Sequence, residues 1–367
     1  MRITSTLLSD GRELRYYDAD GTPERTARDE RGLGAGTTEQ GRMRLDALTG
    51  QWIAVAGHRQ SRIFLPNAAE CPLCPSSPGN LSEIPEADYQ VAVFENRFPS
   101  FLFGQDVPDA DALPAWGIDL PAHGRCEVVA FSDDHTGSIA ALDTEQMALV
   151  FAAWQDRSMQ LSALEGIRYV FVFENRGADV GVTLHHPHGQ IYAYPYVPPT
   201  ARLLQEQSRE HRSRTGRQLL ADVVRFEADE QSRIVFQDDH WIAFVPYAAR
   251  WPFEVQVHPR EDRADLADVS DAEAASFSAL YPRLIRALDS LFDAPMPYMS
   301  GWHQRPAHPT PDEEADSRLY LRLISNRRAA DKLKYLAGSE SLMGAFINDV
   351  APEDSAARVR AAWDATP

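Results

Sequence analysis

Two short motifs contain the residues of this sequence whose types and spacing could do chemistry. The first is His185-His-Pro-His-Gly-Gln190, which lies between two segments rich in β-branched and aromatic residues. Residues two apart in extended backbone face the same side, so His186, His188 and Gln190 share a face. Imidazole is a nucleophile, a proton carrier and a metal ligand near neutral pH. The string predicts a reactive or ligating site in which Gly189 lets the backbone pass close to a ligand; a solvated histidine-rich loop is the alternative.

The second motif is Cys71-Pro-Leu-Cys74, which is compatible with a metal site, a redox pair or chance. A redox pair prefers a helix N-terminus after a strand, whereas the prolines around this pair indicate an irregular loop. Two thiolates need two further ligands to close a tetrahedral zinc site. His135, at the end of a predicted strand, and His186 are the best candidates, and this choice leaves His188 available for other work. The third cysteine, Cys126, makes an odd and low count that argues against a disulfide framework.

Length and charge restrict the function classes. The chain has 367 residues, which suits two domains or one duplicated fold. Its net charge is −18, which disfavours a general nucleic-acid partner but leaves room for a small phosphorylated ligand in a local basic pocket. The sequence contains no run of 18 apolar residues, so it predicts no membrane span. The first residues do not resemble a secretory signal. We therefore expect a cytoplasmic protein without a membrane partner.

The hydrophobic pattern predicts an α+β chain. Strands are expected at 89–94, 126–131, 167–173 and 190–194, and helices from about residue 143 and within 200–226. A weak repeat is also visible, because residues 127–135 and 254–262 each precede a predicted helix. The second of these helices opens with the capping-box pattern Ser270-x-x-Glu273. We interpret the chain as an N-terminal arm (1–43) with a short hairpin near Asp10-Gly11, followed by two similar halves at 44–205 and 206–367.

Several motifs together resemble galactose-1-phosphate uridylyltransferase, a branch of the histidine-triad superfamily. They follow one another collinearly, and His-Pro-His-Gly-Gln is the most specific of them. The matching stretches are 48–53 (LTGQWI), 58–62 (HRQSR), 71–74 (CPLC), 173–177 (FENRG), 186–190 (HPHGQ), 248–254 (AARWPFE) and 301–303 (GWH).

This resemblance implies two histidine-triad-like halves, each an antiparallel sheet with packed helices, in a homodimer with shared active sites. It also implies a ping-pong reaction in which His188 takes UMP from UDP-glucose and passes it to galactose 1-phosphate. A neutral imidazole suits that role, because one difficult displacement becomes two easier ones. Gln190 would donate to a phosphate oxygen and, unlike a third histidine, could not activate water as an acid or base.

The resemblance further assigns residues by position. One structural Zn²⁺ would be held by Cys71, Cys74, His135 and His186. Arg59 and Arg62 would reach the nucleotide of a partner subunit. The remaining substrate contacts would come from Asn96, Asn175, Gly181 and Thr183 on the nucleotide side and from Lys334, Tyr335, Ser339 and Glu340 on the hexose side.

The chain also departs from the family pattern. Some members bind a second metal, but three of its ligand positions fall near Leu204, Leu319 and Leu321, and only His303 remains; we expect no second metal. Ser339 and Phe346 replace residues common on the hexose side. Two alternatives stay open: a related nucleotidylyltransferase or phosphorylase acting on another nucleotide sugar, and a zinc-stabilised binding protein without catalysis. The acidic charge and the absence of a basic recognition helix disfavour a zinc-finger DNA reader.

Overall fold

The computed structural model describes residues 1–34, 41–61, 66, 68–104, 113–292 and 294–367. The strands are β1 Arg2–Leu7, β2 Glu13–Asp18, β3 Arg42–Asp46, β4 Gln51–Val55, β5 Val91–Glu95, β6 Asp119–Pro121, β7 Arg125–Ala130, β8 Tyr169–Arg176, β9 His188–Tyr194, β10 Ile234–Gln237, β11 Trp241–Phe244, β12 Phe253–Pro259, β13 Tyr298–His303, β14 Tyr320–Ser325, β15 Arg327–Ala329 and β16 Lys332–Leu333. The helices are α1 Thr144–Ser162, α2 Pro199–Thr215, α3 Leu219–Glu230, α4 Asp271–Asp289, α5 Pro311–Asp316, α6 Gly338–Met343 and α7 Pro352–Ala365.

One large antiparallel sheet organises the chain. Its strand order is β1-β2-β5-β7-β9-β8-β13-β14-β12-β11-β10. A second sheet has the order β4-β3-β6, and β15 and β16 form a two-stranded sheet. None of the helices in the described residues is both long and apolar enough to cross a membrane.

The large sheet contains the predicted duplication. Along the chain, β5, β7, α1, β8 and β9 are followed later by β11, β12, α4, β13 and β14. In the sheet the two sets have the same order, read inward from opposite sides, and they meet where β8 pairs antiparallel with β13. The α+β prediction with two similar halves is therefore confirmed.

The register of the repeat differs by one residue from the alignment that the sequence suggests. That alignment equates Glu127 with Glu254, but these side chains leave opposite faces of the sheet. Glu127 faces the helices and forms a buried ion pair with Arg157 of α1, at 2.7 Å. Glu254 points to the other face, where Arg322 contacts it at 2.8 Å. Because strand side chains alternate, a shift of one residue exchanges the two faces.

The hydrophobic core lies between the sheet and a layer made by α1 and α4. Phe151 of α1 and Phe277 of α4 pack with their ring centroids 5.2 Å apart. Alternate strand residues such as Val129, Val172 and Val255 point into this layer and are buried. The intervening residues of β7, β8 and β9 point to the opposite face, and it is this face that holds the site described below.

The capping signals correctly predict where helices begin. The Asp143 side chain accepts the backbone N–H of Gln146 at the start of α1. Ser270 and Glu273 form the predicted capping box of α4. The single helix expected within 200–226 is two helices, because the chain turns at Gly216 in the left-handed region (φ 72°).

The N-terminal residues do more than form an arm. The hairpin near Asp10-Gly11 is confirmed, and its second strand β2 pairs with β5, which makes it part of the large sheet. Arg12 and Arg31 both form ion pairs with Glu83, at 2.6 and 2.9 Å, and all three side chains are less than a tenth exposed. This cluster fixes the N-terminal segment to the loop that follows Cys74.

Candidate active site and metal centre

Four ligand groups converge beside the large sheet. Cys71 and Cys74 lie in the proline-rich loop, His135 follows β7, and His186 precedes β9. Their ligand atoms all lie within 4.8 Å of one another. Cys74 Sγ is 3.3 Å from His135 Nδ1 and 3.5 Å from His186 Nδ1. Two sulfurs and two imidazole nitrogens form a closed set that suits a tetrahedral Zn²⁺, so these residues could hold a metal ion.

Burial has opposite consequences for the histidine and for the thiol of Cys74. Burial lowers the pKa of His186 to about 4, so the ring is neutral at pH 7 and can offer a lone pair. Its Nε2 lies 2.7 Å from the Ser132 carbonyl, which can only accept, so Nε2 carries the hydrogen and Nδ1 faces the sulfurs. Burial, followed by the neighbouring Cys71, raises the pKa of Cys74 to about 12. A divalent cation would supply the positive charge that two adjacent thiolates require.

His186 also orients His188, the predicted nucleophile. The Nδ1–H of His188 donates to the His186 backbone carbonyl at 2.8 Å. This bond leaves the lone pair on Nε2, the arrangement that a nucleophilic imidazole needs. Because β9 begins at His188, the ring and the Gln190 side chain emerge from the same face of a sheet strand with neighbours on both sides. A rigid element of this kind positions reacting groups well.

His188 and Gln190 line a cavity of about 390 Å³ on the face of the sheet opposite the helices. The predicted residues Arg59, Asn96, Asn175, Gly181 and Thr183 also line it. Gly181 adopts φ 82° after the short 3₁₀ helix Ala178–Val180, a conformation that favours glycine, and it turns the chain back toward the cavity. Seven residues that are scattered through the sequence from 59 to 190 are thus brought together.

The cavity has an apolar wall that the sequence analysis did not identify. Its side chains include Leu73, Phe94, Phe98, Phe173 and Tyr192. A pattern could have found two of them, since Tyr192 lies two residues beyond Gln190 and Phe173 lies two residues before Asn175 on the same strand faces. Aromatic and aliphatic walls with a few polar groups are typical of small-molecule sites. Two guanidinium side chains, Arg59 and Arg97, give this part of an acidic protein a local positive charge.

Gly189 plays a different part from the one expected. A Cβ at this position would lie 2.8 Å from Phe131 Cζ and 3.0 Å from the Phe173 backbone oxygen. Gly189 faces the helical layer. The absence of a side chain there makes room for the buried ring of Phe131 and not for a ligand. Only tertiary packing reveals this, because the glycine itself looks the same in either role.

Other predicted residues lie elsewhere or outside the description. Arg62 falls outside the described residues. The hexose-side residues Lys334, Tyr335, Ser339 and Glu340 do not line the cavity around His188. Lys334 is buried and pairs with Glu340 at 3.2 Å, whereas Tyr335 is 74% exposed. In this single chain Arg59 lines the cavity of its own His188, so its assignment to a partner's site stays a prediction.

A second cavity of about 340 Å³ adjoins the first and shares Phe173 and Asn175 with it. It contains His303, whose ring stacks on Tyr320 at 4.5 Å and whose pKa burial lowers to about 3. Within the described residues, only the Cys71 cluster brings three or more metal-binding groups together. The expectation of no second metal stays a prediction.

Known proteins with similar sequences and the same fold support this picture. Residues 35–198 match the family model for the N-terminal domain of galactose-1-phosphate uridyl transferase, and residues 204–365 match the model for its C-terminal domain. The chain is 42% identical over 309 residues to galactose-1-phosphate uridylyltransferase of Streptomyces lividans, covering 83% of this chain and 81% of that one. It is 33% identical over 325 residues to the Thermotoga maritima protein of the same name, covering 87% and 97%. A solved uridylyltransferase structure superimposes with a TM-score of 0.78 at 32% identity, covering 88% and 99% of the two chains. The chain therefore belongs to the galactose-1-phosphate uridylyltransferase family, which consists of nucleotidyltransferases.

Proposed function

We propose that this chain transfers UMP from UDP-glucose to galactose 1-phosphate through a uridylyl-histidine on His188. The observation that carries the proposal is the 2.8 Å bond from His188 Nδ1–H to the His186 carbonyl, on a strand whose next outward side chain is Gln190. Family membership supports the substrates. The cavity supports them too, because it combines apolar walls with two arginines.

The reaction would proceed in two displacements. Nε2 of His188 attacks the α-phosphorus of UDP-glucose, the bond from that phosphorus to the bridging oxygen breaks, and glucose 1-phosphate leaves. A phosphate oxygen of galactose 1-phosphate then attacks the same phosphorus, and the P–N bond returns its electrons to His188. Positioning and charge neutralisation supply most of the catalysis in such transfers. Here Arg59 would neutralise phosphate charge and Gln190 would donate an N–H to a phosphate oxygen.

We further propose that Cys71, Cys74, His135 and His186 hold one structural Zn²⁺. When bound, the ion would fix the loop and the strand start that carry the nucleophile, and it would take no part in the displacement. The closed S₂N₂ donor set supports this assignment, since a catalytic zinc keeps an open position.

A homodimer with shared sites is the proposed assembly. The segment after β16 is exposed and apolar: Tyr335 is 74% exposed, Leu342 78%, Met343 80% and Ile347 60%. Clustered exposed apolar side chains of this kind mark interaction surfaces. A second copy of the chain would cover them and receive the exposed hexose-side residues Tyr335 and Ser339 in its own cavity.

Chain mixing tests the shared site. Neither Tyr335→Ala nor His188→Asn chains should be active alone, but a hybrid dimer would contain one site with both native groups and should regain activity. Absence of rescue after demonstrated subunit exchange would refute sharing. The same mixing with Arg59→Ala decides which chain's cavity Arg59 serves, because rescue requires that it act across the interface.

The remaining assignments complete the proposal. We propose residues 44–205 and 206–367 as the two halves of the chain, with residues 1–43 preceding them and joining the sheet of the first half through β2, and the cytoplasm as its location. Nucleic acid and membranes are not proposed as partners.

Product analysis tests the activity itself. The protein incubated with UDP-glucose and galactose 1-phosphate should yield UDP-galactose and glucose 1-phosphate. His188→Asn should abolish both products, whereas His185→Asn, the same change at an exposed neighbour, should retain them. An ADP-glucose phosphorylase from Arabidopsis thaliana shares the fold with a TM-score of 0.66 at 22% identity, so ADP-glucose with inorganic phosphate belongs in the same panel. Preference for that pair would refute the uridylyl assignment.

A further inference from the structure

We infer that Tyr89 is a positioning residue that ties the cysteine loop to the strand start bearing His188. Tyr89 precedes β5, is 3% exposed, and does not line the cavity. Its hydroxyl lies 2.7 Å from the Leu73 carbonyl and 2.9 Å from His186 Nε2. The inference rests on the proposed function, because it assigns the residue a role toward the proposed zinc and nucleophile.

Donor and acceptor counting fixes the direction of these bonds. A carbonyl can only accept, so the one phenolic hydrogen of Tyr89 goes to Leu73. The hydroxyl must then accept the Nε2–H of His186, which it shares with the Ser132 carbonyl at 2.7 Å. Both acceptors require the hydrogen on Nε2, so the His186 tautomer does not depend on Tyr89 alone.

What Tyr89 adds is a link between the cysteine turn and His186 that does not pass through the metal-facing atoms. Leu73 lies between the two cysteine ligands and lines the cavity. His186 is a third ligand, and its carbonyl holds the nucleophile's Nδ1–H. One buried hydroxyl therefore connects the cysteine turn, a histidine ligand and, through one further bond, the reacting imidazole. Partners of metal ligands of this kind set metal affinity and ligand orientation.

The test compares Tyr89→Phe with Tyr16→Phe. Tyr16 is a matched control because it is 1% exposed and belongs to the same hydrophobic cluster, yet its hydroxyl has no hydrogen-bond partner among the described residues. Zinc affinity, measured by competition with a chromophoric chelator, should fall about 10- to 100-fold in Tyr89→Phe and remain near wild type in Tyr16→Phe. With zinc saturating, the rate of uridylyl-histidine formation should also fall only in Tyr89→Phe.

A purely packing role predicts a different pattern. Zinc affinity would then be equal in Tyr89→Phe, Tyr16→Phe and wild type, because phenylalanine keeps the packed ring, and that equality would overturn the inference. Should Tyr89→Phe fail to fold, 3-fluorotyrosine at position 89 keeps the hydroxyl but changes its hydrogen bonding. Zinc affinity altered relative to the same replacement at Tyr16 would support the link, and unchanged affinity would refute it. Failure of the proposed function would show separately, as wild-type protein that binds zinc but gains no uridylyl group.

Discussion

Replacing Gly189 with alanine perturbs the nucleophile's strand without touching the cavity. The added Cβ would lie 2.8 Å from Phe131 Cζ, whereas ordinary contacts begin near 3.4 Å, so ring and strand must separate by about 0.6 Å. Phe131 is fully buried and packs edge-on against Trp154 with centroids 6.1 Å apart, so the ring has little room to retreat. Overpacking of this kind costs about 2 kcal/mol, which lowers the melting temperature of a chain of this length by about 3 °C.

The same displacement should slow the chemistry. His188 and Gln190 flank the glycine, and a misplacement of about 1 Å can cost on the order of 100-fold in rate. We expect the rate of uridylyl-histidine formation at saturating UDP-glucose to fall by on the order of tenfold. Thermal unfolding and rapid-quench labelling measure the two effects.

A double-mutant cycle checks the cause. Phe131→Leu removes the obstructing ring atoms, so Gly189→Ala should be better tolerated in that background, with a coupling energy of about 1 kcal/mol or more. Gly34→Ala is the control, because a Cβ added there would have no atom of the described residues within 4 Å and the φ of Gly34 lies outside the left-handed region. Additive effects, or a Gly189→Ala enzyme as stable and fast as wild type, would refute this reasoning.

Three further predictions concern the metal, the buried charges and pH. Cys74→Ser should lower the bound zinc from about one equivalent per chain, measured by elemental analysis, and reduce thermal stability, measured by calorimetry. A metal-free protein with full thermal stability would contradict a structural role. Glu83→Gln should cost about 2 kcal/mol in denaturant unfolding because it removes the carboxylate that Arg12 and Arg31 share and leaves each buried guanidinium with one carboxylate partner, Asp10 or Asp29, whereas Glu13→Gln, whose side chain is 28% exposed, should cost under about 1 kcal/mol. Burial raises the pKa of Glu174 from 4.5 to about 7. The folded state therefore binds this proton more tightly, and its stabilising contribution is complete below about pH 4.5 and lost as the pH rises through 7. The stability difference between wild type and Glu174→Gln should change across that window by at most about 3 kcal/mol; a pH-independent difference in urea titrations would be evidence against it.

Local chemistry explains why much of this site could be predicted from the sequence. The two-residue period of a strand places His186, His188 and Gln190 on one face, and the cysteine pair requires two more ligands, which the fold supplies. Capping preferences are similarly local, and they correctly predict the starts of α1 and α4. In each case the deciding interaction joins residues close in sequence or residues of unusual type.

The features that were missed depend on contacts between distant segments. In the sequence, nothing distinguishes Tyr89 from other aromatic residues of the core. Its role follows from the contacts of its hydroxyl with Leu73 and His186, which only the structure shows. The alignment of Glu127 with Glu254 rested on residue identity alone. Their ion pairs with Arg157 and Arg322, which lie on other elements, show that the two side chains occupy opposite faces of the sheet. The Phe131 ring beside Gly189 is a third example, because no pattern within the motif indicates what fills the space of a missing side chain.

The covalent intermediate tests the central claim most directly. Wild-type protein mixed with UDP-glucose alone should release about one glucose 1-phosphate per active site in a burst, as a ping-pong mechanism requires. Intact-mass analysis should show one added uridylyl group, stable to base and labile to acid, and peptide mapping should place it on His188. The His188→Asn protein should stay unlabelled while retaining its zinc. Labelling of a different residue, or full transfer activity in His188→Asn, would contradict the account.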